Sequence, residues 1–198
     1  MEVKPEKVRA FFDALAPTWD GDRAVCPRVL GEILDLAGIA AGCRVLDVAC
    51  GTGVLVPYYL ERGAVQVTGV DLSPEMIRLA AAKCQDSRAA FLAGDVLALD
   101  LGVFDRVVVL NALPHYPDPE ALAARLADRL APGGRLYFAH DRPRQDINRH
   151  HSRTAGEVSR GLPPAEETAA WLRRYLAVDA VVEDGEKYVV SGVRPAQP

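Results

Sequence analysis

The sequence has few cysteines, no long apolar run and no excess of basic charge. Its four cysteines are Cys26, Cys43, Cys50 and Cys84. They form no C-x-x-C pair, so they indicate neither a disulfide framework nor a zinc site. No apolar run approaches the ~18 residues of a membrane span, and the charged N-terminus has no signal core. Together these features predict a cytoplasmic protein that binds no membrane. The net charge of −4 disfavours nucleic acid as a partner.

The chain has 198 residues, of which 49% are hydrophobic and 25% are charged. This length and composition predict one globular domain over residues 1–198. Short β-branched runs alternate with longer helical patterns. The runs that predict buried strands are 44–50, 66–72, 89–94, 104–110 and 134–140. Helical patterns occupy about 6–16, 27–37, 54–62, 74–84, 118–131 and 164–176. This alternation predicts βαβ units, and hence an α/β fold with a doubly wound, mostly parallel sheet.

The C-terminal part departs from that alternation. Residues 177–183 and 187–193 flank Asp184-Gly185, a strong hairpin signal, so we expect an antiparallel hairpin at one edge of the sheet. The domain is therefore predicted to have four parts. Residues 1–40 form N-terminal helices with a lid function, and residues 44–140 form the cofactor-binding core. Residues 141–163 form a substrate-side insertion, and residues 164–194 form a helix plus hairpin.

The loop after the first predicted strand has the pattern of a cofactor site. It reads Asp47-Val48-Ala49-Cys50-Gly51-Thr52-Gly53, and its two glycines allow a sharp turn and a close approach of backbone to ligand. Asp71 ends the second strand, where a carboxylate can accept hydrogen bonds from both ribose hydroxyls. Asp95 follows the third strand and can reach an adenine edge.

Two cofactors fit such a scaffold. A nicotinamide dinucleotide calls for G-x-G-x-x-G, and here Val56 stands at the third glycine position. Asp47 would also be badly placed beside a pyrophosphate, whereas it suits the ammonium end of S-adenosylmethionine, which has no phosphate. The residues therefore favour S-adenosylmethionine over a nicotinamide oxidoreductase.

Four segments in order carry a family resemblance: D-V-A-C-G-T-G, V-D-L-S-P-E-M-I, A-G-D-V and L-A-P-G-G-R-L, within residues 44–140. They resemble the class I S-adenosylmethionine-dependent methyltransferases, most closely the small-molecule branch around the ubiquinone and menaquinone methyltransferases. The resemblance implies a Rossmann-like sheet of seven strands with a reversed last strand. It also implies transfer of a methyl group by in-line displacement to an oxygen, nitrogen, sulfur or carbon of a small molecule.

The resemblance further implies roles for individual residues. Gly51 and Gly53 would lie beside the methionine part, Asp71 would bind the ribose, and other side chains would contact the adenine. The cofactor-binding set is Asp47, Ala49, Gly51, Gly53, Asp71, Leu72, Met76, Asp95, Val96 and Asn111.

All four histidines fall after the fourth predicted strand, on the rim expected above the methyl group. Near pH 7 a histidine can act as a general base. The catalytic candidates are His140, Asp141, His115 and His151. The alternative is that these side chains pack structurally. A metal site would draw on His140, Asp141 and His150 or His151, but no short ligand spacing supports it, and no metal is assigned.

The predicted insertion contains five arginines, at 142, 144, 149, 153 and 160. They can clamp an acidic acceptor or simply form a solvated helix face. Phe11, Phe12 and Trp19 can close over the cofactor or cover the sheet. The alternative to an enzyme is a non-catalytic module that binds S-adenosylmethionine as a sensor or scaffold. The oligomeric state stays open.

Overall fold

The computed structural model describes residues 3–21 and 26–196. Its helices are α1 (Pro5–Leu15), α2 (Pro27–Ala37), α3 (Val56–Glu61), α4 (Pro74–Lys83), α5 (Pro119–Asp128), α6 (Arg144–Thr154) and α7 (Ala165–Leu172). Short 3-10 helices cover Ala16–Thr18 and Leu113–His115. The strands are β1 (Arg44–Val48), β2 (Gln66–Asp71), β3 (Ala89–Ala93), β4 (Phe104–Leu110), β5 (Leu130–His140), β6 (Ala177–Glu183) and β7 (Tyr188–Val193). None of the helices in the described part of the chain is long and apolar enough to cross a bilayer.

The strands form one sheet in the order β3-β2-β1-β4-β5-β7-β6. Pairs from β3 to β5 are parallel, whereas β7 runs antiparallel to both β5 and β6. The predicted seven-stranded, mostly parallel sheet with an antiparallel C-terminal hairpin is confirmed. The strand order reverses between β1 and β4, and at such a switch point ligands bind beyond the carboxyl ends of the strands.

Local chemistry explains where several helices begin and end. Ser73 caps α4 by accepting a hydrogen bond from the Met76 N–H at 3.1 Å, and Asp118 caps α5. In both helices a proline follows the cap, where its missing N–H costs nothing. Gly38 ends α2 in the left-handed conformation, with φ +65°.

Apolar side chains cover both faces of the sheet. One face packs against α5 and α7 and includes Leu46, Val107 and Phe138. The other packs against α2 and α3. A third, smaller cluster joins Val3 and Val8 at the N-terminal end to Ala155 and Val158 just after α6. This third cluster packs the N-terminal segment against the residues just after α6, and both lie above the carboxyl ends of the strands.

One boundary differs from the sequence pattern. The pattern predicts a helix to residue 131 and a strand from 134, but α5 ends at Asp128 and β5 begins at Leu130. Leu130 pairs with Phe104 and Arg135 with Arg106, so a register shift takes up Pro132-Gly133-Gly134 within the strand. The Pro-Gly-Gly segment marks an irregularity in a strand rather than the end of a helix.

Candidate functional site

A cavity of about 830 Å³ opens beyond the carboxyl ends of β1, β2 and β4. Nine of the ten predicted cofactor residues line it: Asp47, Ala49, Gly51, Asp71, Leu72, Met76, Asp95, Val96 and Asn111. Three of the four catalytic candidates also line it: His115, Asp141 and His151. The two remaining residues, Gly53 and His140, are not among its lining residues. The two predicted sets therefore meet in one cavity.

The glycine loop is shaped by left-handed backbone. Ala49 and Gly51 both have φ +55°, and Gly53 has φ +76°. A Cβ atom at Gly53 would lie 3.2 Å from the Cβ of Ala80 and 3.3 Å from the Phe91 ring. Gly53 thus allows the loop to pack closely on α4 and β3, and it supports the cavity from behind.

Backbone N–H groups orient the carboxylate of Asp71. Its Oδ2 accepts a hydrogen bond from Gly51 at 2.8 Å, and its Oδ1 accepts one from Ser73 at 2.9 Å. Burial raises the pKa of this carboxyl, although both hydrogen bonds oppose the rise. Asp95 is held in a similar way, because its Oδ1 accepts the Leu97 N–H at 2.9 Å. Two oriented carboxylates therefore face the cavity from the ends of β2 and β3.

Asp47 lies deeper, at the end of β1. Its side chain is 2% exposed, and its Oδ2 has no hydrogen-bond partner among residues 3–21 and 26–196. Burial raises the pKa of Asp47 to about 8, the negative charge of Asp71 adds to the rise, and the nearby Tyr59 hydroxyl opposes it. A buried carboxyl oxygen without a partner is costly. A cationic donor in the cavity would satisfy it.

The N-terminal segment is fastened across this cavity by two aspartates. Asp13 accepts a hydrogen bond from the Ser73 hydroxyl at 2.5 Å. Asp20 accepts one from the Thr52 hydroxyl at 2.7 Å and forms an ion pair with Lys83. Trp19, next in the chain, lines the cavity beside Gly51. Sequence reasoning missed both aspartates, because their partners lie 60 and 32 residues away along the chain.

Rings from three segments meet on the other side of the cavity. The His115 and His151 ring centroids are 4.9 Å apart, and His115 lies 5.0 Å from Phe12 in an edge-to-face arrangement. The His115 Nδ1 lies 2.9 Å from the carbonyl oxygen of Val158. Because a carbonyl only accepts hydrogen bonds, Nδ1 bears the proton and the lone pair of the neutral ring is on Nε2. His115 therefore has the tautomer of a base that acts through Nε2.

Asp141 is positioned by its own backbone. Its N–H donates to the side-chain oxygen of Asn111 at 3.1 Å. Asn111 has φ +57°, an unusual conformation for a residue other than glycine. Strained residues cluster at functional sites. The turn after β4 thus holds the start of the insertion against the cavity.

His140 does not line the cavity, unlike the other three catalytic candidates. It is 1% exposed, its ring stands edge-to-face on Tyr188 at 5.7 Å, and within the described residues neither ring nitrogen has a hydrogen-bond partner. Burial lowers its pKa to about 3, and His151 and His115 add to the shift. The ring is neutral at pH 7 and is enclosed in protein rather than facing the cavity.

The described residues include no group of three or more histidine, cysteine, aspartate or glutamate side chains placed to hold a metal ion. Of the residues weighed for a metal site, His140 is turned away, while Asp141, His150 and His151 line the cavity. This arrangement does not support the metal hypothesis.

Comparison with known proteins agrees with this geometry. Residues 45–134 match the family described as a methyltransferase domain. A ubiquinone biosynthesis O-methyltransferase of Idiomarina loihiensis is 38% identical over 149 residues, covering 69% of this chain and 60% of that protein. Residues 45–134 are therefore similar to methyltransferase domains. The chain spans about 60% of the length of that curated relative.

Solved structures of methyltransferases have the same fold as this chain. One is the methyltransferase of Haloferax volcanii in complex with the Trm112 methyltransferase activator, with a TM-score of 0.83 and 22% identity, covering 96% of this chain and 99% of that one. Another is the magnesium protoporphyrin IX methyltransferase of Synechocystis with bound S-adenosylhomocysteine. Its TM-score is 0.74 at 21% identity, with the same coverage of both chains.

Several residues that line the cavity were not among the predicted cofactor-binding or catalytic residues. Tyr116 lines the cavity, and burial raises the pKa of its phenol well above the usual value. Cys50 is buried there too, near the carboxylates of Asp47 and Asp71. Asp146 and Ile147 enter from α6. Only the turn geometry and the packing of the insertion place these four residues in the cavity.

Proposed function

We propose that the protein transfers the methyl group of S-adenosylmethionine to a small-molecule acceptor bound under the N-terminal segment and α6. One observation carries the proposal. A single cavity has the strand-end carboxylates on one side and His115, His151 and Asp141 on the other. The first group suits a cationic donor, and the second suits an acceptor that must lose a proton. When bound, S-adenosylmethionine supplies an electrophilic methyl group on a sulfonium.

The residues present fit this donor. The unpartnered oxygen of Asp47 can accept a hydrogen bond from an ammonium group, which would lower its raised pKa again. Asp71 keeps further lone pairs on both oxygens for the ribose hydroxyls, and Asp95 with Val96 would hold the adenine edge. Leu72 and Met76 would pack against the adenine ring.

On the acceptor side, His115 is the best-placed general base. Its bond to Val158 fixes the tautomer, so Nε2 can take a proton from a hydroxyl, thiol or amine. His151 and Asp141 would orient the acceptor and stabilise the imidazolium. Phe12 and Trp19 would exclude water, and alignment of the reactants supplies roughly 7–11 kcal/mol of the barrier in well-oriented reactions. We leave His140 outside the catalytic set, because it does not reach the cavity.

A cavity lined only by apolar groups would favour a non-catalytic binding module. This cavity is also lined by three histidines and several carboxylates. The acceptor atom is left open. We also propose a cytoplasmic location, on the basis of the scattered cysteines, and an acceptor other than nucleic acid, on the basis of the net charge of −4.

The test begins with calorimetric titration of the protein with S-adenosylhomocysteine, with NADH in parallel. Binding of the first alone supports the donor site, whereas binding of NADH alone would overturn it. Phenols, thiols and amines are then screened for release of S-adenosylhomocysteine from S-adenosylmethionine. Cofactor binding with no turnover on any acceptor would favour the binding module.

A further inference from the structure

A second, shallower depression of about 640 Å³ adjoins the mouth of the cavity along α6. Its lining residues are Arg142, Asp146, Arg149, His150, Arg153 and Thr154. Four of the six also line the main cavity: Arg142, Asp146, His150 and Thr154. The two spaces therefore lie next to each other and share a wall formed by Arg142 and α6.

The five arginines of the insertion differ in the partners that their side chains bind. Arg144 pairs with Glu183 on β6 at 2.6 Å, and Arg160 donates to the carbonyl oxygen of Pro117. These two hold the fold together and point away from the depression. Arg149 pairs only with the half-exposed Asp146, at 3.3 Å.

Arg142 and Arg153 differ from the other three. Their guanidinium groups make no hydrogen bond or ion pair with any residue in the described ranges, yet both border the depression. Two positively charged groups without a carboxylate partner, with Arg149 between them, leave this space with a positive balance. Guanidinium groups bind carboxylates, sulfonates and phosphates through paired hydrogen bonds.

The charge is distributed unequally between the two spaces. The strand ends contribute Asp47, Asp71 and Asp95 to the main cavity, which suits a cationic donor. The depression at α6 is positive. Phe12, Ile147 and Ala155 add apolar surface to the main cavity.

We propose that Arg142, Arg149 and Arg153 bind an anionic group of the acceptor, a carboxylate, sulfonate or phosphate remote from the methylated atom. The apolar body of the acceptor then lies against Phe12 and Ile147, and its nucleophile reaches His115. This inference rests on the proposed function and names the acceptor class: an elongated, amphipathic anion.

Two fluorescent probes test the anion site without knowledge of the acceptor. 1-Anilinonaphthalene-8-sulfonate and N-phenyl-1-naphthylamine share their ring systems and differ in the sulfonate. Both are titrated into protein saturated with S-adenosylhomocysteine. We expect the double variant Arg142→Gln/Arg153→Gln to weaken binding of the sulfonate probe by about tenfold or more, as loss of charge-assisted hydrogen bonds predicts. Binding of the neutral probe should not change.

The control is Arg125→Gln/Arg173→Gln, which removes two exposed arginines from α5 and the end of α7, outside both spaces. It should bind both probes like the wild type. Equal loss of both probes in the test variant, or no loss of either, would overturn the anion site. So would tight binding of anionic phospholipid vesicles that depends on these arginines while the sulfonate probe stays insensitive to them.

Calorimetry with S-adenosylhomocysteine separates the two levels of inference. If the variants bind it as the wild type does and the sulfonate probe does not discriminate, only the anion site fails. If the wild type itself binds no S-adenosylhomocysteine, the proposed function fails first.

Discussion

The side chain of Asp20 accepts a hydrogen bond from Thr52 at 2.7 Å and so fastens the segment after α1 to the glycine loop after β1. Thr52 is 1% exposed and stands between the two glycines of the loop. The same aspartate forms an ion pair with Lys83 at the end of α4. One exposed residue thus joins the N-terminal segment to two walls of the cofactor cavity.

Replacing Asp20 with Ala should therefore loosen the packing of the N-terminal segment over the cofactor cavity. Loss of one hydrogen bond of about 1 kcal/mol predicts roughly fivefold weaker binding of S-adenosylhomocysteine, measured by calorimetry. The melting temperature should change little, because the residue is exposed. Asp35→Asn is the control, since it removes an exposed partner of Arg62 on α2. Equal effects of the two substitutions would show that Asp20 has no special part in closure.

Asp47 should make cofactor binding depend on pH. Its pKa of about 8 means that the free protein holds this carboxyl largely neutral at pH 6, whereas the ammonium of the ligand favours the ionised form. We expect S-adenosylhomocysteine to bind more tightly as the pH rises from 6 to 8, with release of a proton. Asp47→Asn should bind weakly at both pH values. A wild-type affinity that is flat over this range would refute the assignment.

Asp47 should also make the stability of the ligand-free protein depend on pH, with stability falling as the pH rises. Its folded pKa lies above its unfolded value, so the folded state holds a proton that the unfolded state releases. The stabilising contribution is present below pH 4 and is lost as the pH rises through 8, at no more than about 1.4 kcal/mol per pH unit. Urea unfolding at pH 6 and 8 without ligand should show the wild type losing more stability than Asp47→Asn.

His115 and His140 should respond differently to replacement by Phe. His115→Phe should lower kcat by about 10²–10⁴-fold and remove the fall in rate at low pH that protonation of a general base causes. His140→Phe keeps the edge-to-face contact with Tyr188 and removes two unpartnered nitrogens, so melting temperature and turnover should stay level or rise.

The protonation of His140 provides a second check on that variant. Its folded pKa of about 3 is below the unfolded value of about 6.5, so the unfolded state binds more protons between these values. The wild type should lose stability as the pH falls from 6 to 4, and His140→Phe should lose less. A large loss of kcat in His140→Phe with normal folding would restore it as a catalytic residue.

Two glycines with similar φ angles allow the cost of backbone strain to be measured apart from the cost of close packing. Gly53 and Gly102 have φ +76° and φ +73°, but a Cβ atom would collide with Ala80 and Phe91 only at Gly53. Gly102→Ala should cost about 1–2 kcal/mol from backbone strain. Gly53→Ala should cost clearly more in urea unfolding and should also weaken cofactor binding. Equal costs would mean that the loop moves freely.

Local signals accounted for most of the fold. Caps at Ser73 and Asp118, and Gly38 after α2, act within three or four residues, so the sequence displays them directly. The strand-end carboxylates could also be predicted, because parallel strands end at the same edge of the sheet. The start of β5 could not, since it depends on pairing between Leu130 and Phe104.

Side-chain direction at the end of β5 explains the different positions of His140 and Asp141. His140 is the last strand residue and is paired with Tyr188, so its ring is enclosed beside that strand. Asp141 begins the turn and reaches the cavity. The sequence alone does not show which of these two neighbouring residues faces the ligand, because this depends on the partner strand. The positions of Asp13 and Asp20 depend likewise on how α1 crosses α4.

The position of β7 between β5 and β6 has a consequence for how the protein is made on the ribosome. β5 is complete at residue 140, but its open edge receives its partner only when residues 188–193 have emerged. Until then the nascent chain exposes an unpaired strand edge that other chains can join. Ribosome-bound intermediates that stop between these points should therefore depend most on chaperones.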